Sequence, residues 1–162
     1  MSELGTVTQG EMEIILNDPT PVVYRPYRMS CTERSEVRRQ IEELKANNII
    51  QDSNSLYASP VLLVKKKNGE QRLVVDFRLL NSKTVKNKFP LPIIEDLLEG
   101  IGKANLYTTM DCASGFWQIP MAKESIPKTG FVTADGHYEW LKMPFGLTNG
   151  PAVFQETINK VL

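Results

Sequence analysis

Three groups of residues in this chain have the types and spacing to do chemistry. Lys65, Lys66 and Lys67 lie five to seven residues before Arg72, with Asn68-Gly69 between them. If the two runs face each other across a tight turn, ammonium and guanidinium groups converge over one cleft and suit the oxygens of a triphosphate. Lysines on an exposed strand also block edge-to-edge pairing, so a solubilising edge is the competing reading. Asp111 ends the β-rich run Leu106–Met110 and opens onto small residues. A carboxylate there can reach a divalent cation that also touches a phosphate, or it can cap a helix. Third, the stretch Leu141–Gln155 contains Gly146 and Gly150, which permit backbone conformations closed to other residues, though an ordinary glycine-containing loop would read the same.

The elements that must position these groups can be read from periodicity. Ser30 and Glu33 have capping-box spacing, and Val37, Ile41 and Leu44 follow at helical intervals to about Ala46, with Asn47 and Asn48 as stops. The runs on either side of Asn68-Gly69 predict a β-hairpin with a type I′ turn. Pro92 biases Leu91 away from the helical region, so Phe89–Pro92 reads as extended. A helix is expected from about Ile93 to Ile101, ended by Gly100 or Gly102. Leu106–Met110 is predicted as a strand, and Thr129–Thr133 with His137–Leu141 as a second hairpin around Asp135-Gly136. Pro151 starts a last helix that is still running at Leu162, and its stripe of Val153, Phe154, Ile158 and Val161 lacks chain to cover it, which suggests truncation.

Composition narrows the classes. The chain has 162 residues, 41% hydrophobic and 23% charged, which is ordinary for one globular unit. Lys plus Arg and Asp plus Glu both total 19, so no global basic balance points to nucleic acid. The distribution is uneven: from Lys65 to Lys88 eight basic residues face Glu70 and Asp76, about +6, leaving about −6 elsewhere. Cys31 and Cys112 form no Cys-x-x-Cys pair, so neither a zinc site nor a disulfide framework is expected. No signal pattern or spanning apolar run occurs, so an intracellular chain without a membrane partner is expected.

Taken together, Tyr57–Lys67, Arg72–Asn81, Phe89–Pro92, Asp111–Ile119, Lys128–Phe131 and Met143–Gly146 resemble, in order and spacing, the reverse transcriptase family. The likeness is to the enzymes of gypsy-type long-terminal-repeat elements and retroviruses, and it covers roughly residues 24–162. It implies an α+β fold in which a fingers β-hairpin and helices join a partial antiparallel palm sheet of a right-hand polymerase. The divisions would be an N-terminal arm (1–29), a fingers-like region (30–105) and the first part of the palm (106–162).

The resemblance also implies roles. Lys66 and Arg72 would grip the incoming deoxynucleoside triphosphate, and Asp111 would be the catalytic metal ligand, for magnesium. Phe116 would be the steric gate beneath the sugar, while Phe145 and Gly146 would line the nucleotide pocket. Lys88, Pro90 and Pro92 would touch the template strand, and Asp76 with Arg78 would brace the fingers by an ion pair. The partners would be an RNA or DNA template-primer and the rest of a Pol polyprotein, in a cytoplasmic virus-like particle or the nucleus.

The chain departs from the family in one respect: it contains no Asp-Asp pair, so the isolated chain is expected to be inactive as a polymerase. A catalytically inactive module derived from the family, binding nucleic acid or protein, is the alternative. An unrelated metal-dependent phosphotransferase would need carboxylates converging on Asp111, and Glu124 and Asp135 offer no supporting spacing.

Overall fold

The computed structural model describes residues 4–162; the first three residues of the expected arm lie outside the described residues. Helix α1, Cys31–Ala46, starts where expected because Ser30 Oγ accepts from Glu33 N at 3.2 Å while Glu33 Oε2 accepts from Ser30 N at 2.9 Å. Such a reciprocal cap is worth about 1 kcal/mol. Val37, Ile41 and Leu44 bury one face, and the helix stops as Asn48 turns left-handed at φ 55°.

Five strands follow: β1 (Ile50–Asp52), β2 (Ser59–Lys65), β3 (Gln71–Val75), β4 (Phe131–Val132) and β5 (His137–Trp140). They form one sheet in the order β1-β5-β4-β2-β3. All pairs are antiparallel except β2 with β4, so strands from both sides of residue 105 share the sheet. The expected α+β architecture is therefore present.

Helices α2 (Arg78–Lys83), α3 (Ile94–Ile101) and α4 (Gly150–Val161) complete the regular elements. The sequence pattern does not anticipate α2, which begins as Asp76 Oδ1 accepts from Arg78 N at 3.2 Å and turns the chain out of β3. Helix α3 ends with Gly102 as its C-cap, and α4 carries Pro151 in its first turn.

The core gathers Val61, Val75, Phe77, Leu80, Ile119, Phe131, Trp140 and Met143 with the buried face of α1. The N-terminal arm belongs to it. Met12, Ile14 and Val22 are buried, and single bridges tie Met12 to Met121, Leu16 to Thr84 and Val23 to Ala58.

Three expectations are corrected. The β2–β3 turn is not type I′, which needs two positive φ angles; only Gly69 has one, at 85°. Lys66 O accepts from Gly69 N and Lys66 N donates to Glu70 O, so the turn is longer and Gly69 forms its left-handed exit. The strand at Thr129–Thr133 shortens to Phe131–Val132, because Thr129 ends a 3-10 turn, Ile126–Thr129, and its hydroxyl donates to Ile126 O. Leu106–Met110 is not a strand: it takes no regular structure and is fully exposed. A strand exists only with a neighbour to complete its ladder, and among the described residues none lies beside this run.

Candidate functional site

The β2–β3 hairpin raises its cations from the end of the sheet. Lys65 pairs with Gln71 and Val64 with Arg72, so the Lys65–Lys67 run and Arg72 stand at the same end. Lys66 Nζ lies 3.2 Å from Glu70 Oε2 within the turn, both side chains largely exposed. The Glu70 carboxyl is held below its usual range, first by Asn68 and then by Lys66. The pair is exposed and screened by solvent, so an anion can displace Glu70 from Lys66.

Arg72 has no carboxylate within ion-pair distance among the described residues. Its guanidinium carbon instead lies 4.9 Å from the centroid of the Phe145 ring. Phe145 stacks on Phe116 at 4.9 Å and 18°, and Phe116 packs on Phe154 of α4 at 5.3 Å. Trp117 meets the edge of Phe145 at 6.3 Å. The result is a column in which a cation caps successive aromatic rings.

Local structure explains why these rings meet. Ser114 takes a left-handed conformation, φ 48°, and caps the 3-10 turn Gly115–Gln118, which directs Phe116 and Trp117 inward. Phe145 is held by the next residue: Gly146 sits at φ 95°, and its carbonyl accepts from Asn81 Nδ2 at 2.8 Å. The same Asn81 amide accepts from Thr148 N at 2.9 Å, so one side chain clamps both ends of the loop. Asn149 does likewise for residues 85–87, accepting from Asn87 N at 2.9 Å and donating to Val85 O at 2.8 Å.

Between α1, β3 and these rings lies a cleft of about 830 Å³, lined by Lys66, Arg72, Phe145, Trp117 and Trp140 and, from α1, by Glu36, Arg39, Gln40 and Glu43. Glu36 is held at about 2, down from an ordinary 4.5, first by its hydrogen bond from Arg39 and then by that from Gln40. At neutral pH the α1 wall is therefore ionised and internally paired, while Arg72 on the opposite wall is free to meet an anion.

Of the expected site residues, Lys66, Arg72, Phe145, Gly146 and Phe116 come together. Lys88, Pro90 and Pro92 do not; they are exposed and outside the cleft lining. Asp111 is also exposed, outside the lining, and caps no helix, a place taken by Ser114. The brace expected of Asp76 and Arg78 is present at 2.7 Å, with Tyr27 Oη donating to Asp76 at 2.9 Å. The Asp76 side chain is only 8% exposed, and Arg78 holds its carboxyl well below the usual range.

Sequence reasoning missed Gln40, Trp117, Asn81 and Asn149 as contributors. A buried-side glutamine on an otherwise charged helix was the available signal for the first. The asparagines carried none, because their partners are distant in the chain.

A profile of the family described as reverse transcriptase (RNA-dependent DNA polymerase) matches residues 64–162. This chain belongs to the reverse transcriptase family. It is 44% identical, over its full length, to the retrovirus-related Pol polyprotein from transposon opus of Drosophila melanogaster. It is 38% identical, over 90% of its length, to that from transposon gypsy of the same organism. The chain spans 17% and 15% of those two polyproteins, so it corresponds to a segment of them. Its fold matches the foamy viral protease-reverse transcriptase in complex with RNA/DNA hybrid, with a TM-score of 0.82 over 98% of this chain and 21% of that one, at 22% identity.

Membership of the family implies divalent-metal use in general. The residues present do not fit a held divalent ion. Among the described residues no three His, Cys, Asp or Glu side chains gather, and Asp111 stands alone, whereas such ions need several convergent oxygens. No helix of the described residues is long and apolar enough to cross a membrane.

Proposed function

We propose that this chain is the fingers and the first palm segment of a reverse transcriptase that copies an RNA or DNA template into DNA from deoxynucleoside triphosphates. Its divisions are the arm to residue 29, the fingers-like region 30–105 and the palm segment 106–162. The observation that carries this reading is the column Arg72–Phe145–Phe116 at the mouth of a cleft that also holds Lys66.

In this reading Arg72, helped by Lys66 once Glu70 yields, binds the triphosphate through charge-assisted hydrogen bonds. Phe145 and the left-handed Gly146 form the pocket wall, and the Phe116 ring fills the space a ribose 2′-hydroxyl would need. Asp111 is one ligand of a magnesium site whose other ligands this chain does not gather. Lys88, Pro90 and Pro92, on an exposed extended run, contact the template strand. The remaining partners are the primer and the rest of a Pol polyprotein, inside the cell in a virus-like particle or the nucleus.

Two measurements test the reading. Calorimetric titration of the 162-residue chain with a deoxynucleoside triphosphate should show weak binding that Arg72→Ala lowers about tenfold or more, as for loss of a charge-assisted contact. Equal binding by the Arg72→Ala chain would remove the nucleotide seat. Primer extension by the same chain should stay at background, and template-dependent synthesis would refute the role given to Asp111.

A further inference from the structure

Strand β3 is the outer strand of the sheet, next to β2 alone. The main-chain groups of Gln71 and Leu73 point away from β2 and need partners elsewhere. Gln40 of α1 supplies both. Its Nε2 donates to Gln71 O at 2.8 Å, and its Oε1 accepts from Leu73 N at 2.9 Å. A parallel strand bridging Arg72 would take the same two groups, one on each side of it. The side-chain amide thus stands in for a strand, centred on Arg72.

The amide is itself held in one orientation. Gln40 Nε2 also donates to Glu36 Oε1 at 2.7 Å, and Glu36 receives Arg39 through bonds of 2.7 and 3.1 Å. Arg39 reaches on to Glu43 at 3.3 Å. Reversing the amide would set its oxygen against the Glu36 carboxylate and the Gln71 carbonyl, so the nitrogen must face them. This relay fixes the backbone from which the Arg72 side chain departs toward the Phe145 ring.

We propose that Gln40 is a positioning residue for Arg72: its amide locks the β3 backbone on either side of that residue and so holds the guanidinium over Phe145. The functional consequence rests on the nucleotide seat proposed above; the positioning does not, and each is tested separately.

The test uses the full chain, NMR and two substitutions. Gln40→Met keeps the length and removes the hydrogen bonds. It should speed exchange of the Leu73 amide about tenfold and abolish the ring-current shift that Phe145 imposes on the Arg72 Nε–H and Cδ protons. Resonances of Phe131 and of the α1 amides more than a turn from position 40 should stay in place.

Gln40→Glu makes the effect conditional. As a carboxylate it cannot donate to Gln71 O and it repels Glu36; once protonated its single O–H can serve Gln71 O while its carbonyl oxygen accepts from Leu73 N, with the bond to Glu36 left unmade. The charged groups facing position 40 are Glu36, Arg39 and Glu43 on α1, with Lys65, Lys66, Glu70 and Arg72 on the hairpin. Glu36 and Glu70 are both held below their ordinary values, so they stay ionised from pH 7 to 5 and titration there reports the new acid. The ring-current shift of the Arg72 Cδ protons, which do not exchange with water, should be lost at pH 7 and return in large part toward pH 5 in one sample, which a loss of fold in Gln40→Met cannot mimic.

An Arg72 shift unchanged in folded Gln40→Met overturns the proposal, as does a Gln40→Glu chain whose signals ignore pH. A Gln40→Glu chain unfolded at both pH values also overturns it, since the amide would then serve the whole fold. Inorganic tripolyphosphate separates the two readings. Wild type that fails to bind it defeats the nucleotide seat, and the Arg72 signals alone then decide the role of Gln40; binding weakened in step with the lost shift supports both.

Discussion

Phe131, Leu80 and Met143 are wholly buried, whereas every residue from 90 to 114 is exposed, although that stretch carries Ile93, Ile94, Leu97, Leu98, Ile101, Leu106 and Met110. The two regions differ little in apolar content and completely in what faces them. In the body, the sheet meets α1 and the arm, so each apolar side chain has a facing surface. In the 90–114 stretch, α3 presents an apolar stripe that nothing among the described residues covers. Burial is a property of pairs of surfaces, and one half alone contributes no core. The proposed site straddles this divide. The cation and rings stand on the body and are held by buried packing and amide clamps, whereas Asp111 stands on the open stretch with no such support.

The contrast can be broken or sharpened by experiment. Phe131→Ala, in the packed cluster with Tyr138 and Trp140, should cost about 3–5 kcal/mol in urea unfolding; a smaller loss would mean that the body is looser than its packing implies. Acid should act next. The folded-state pKa values of Glu36 and Asp76 are both depressed, so their stabilisation is full above about pH 4.5 and declines as pH falls toward 2, that of Asp76 continuing to decline below it. The melting temperature should drop by several degrees over that window, and Asp76→Asn should flatten the drop. Ser30→Ala removes the α1 cap and should cost about 1 kcal/mol, read from the same urea transitions. Leu98→Ala, on the exposed stripe of α3, should change stability by less than about 0.5 kcal/mol. A loss as large as that for Phe131→Ala would show that α3 is covered in solution, erasing the distinction.

Features set by neighbours in sequence were legible before the structure. The Ser30–Glu33 box, the left-handed Asn48, the hairpin about Asn68-Gly69 and the Pro151 helix start all depend on contacts within a few residues. Features set by distant pairing were not. Leu106–Met110 has β-forming residues but no ladder, and the φ angles of the Asn68-Gly69 turn depend on how β2 and β3 close. The site divides the same way. Arg72, Phe116 and Phe145 were recognisable from their motifs, and the structure places them in one column. Gln40 and Asn81 act on backbone 31 and 65 residues away, and no local pattern marks them.

The arm bears on how the chain must assemble. Ile14 N donates to Ser125 Oγ and Lys128 Nζ donates to Ile14 O, links spanning 111 and 114 residues. On a ribosome, residues 12–14 emerge more than a hundred residues ahead of Ser125 and Lys128, and contacts of such long span are slow to close. Met12 and Ile14 stay uncovered until Met121–Lys128 arrives, and in that interval they are open to mispairing with another copy.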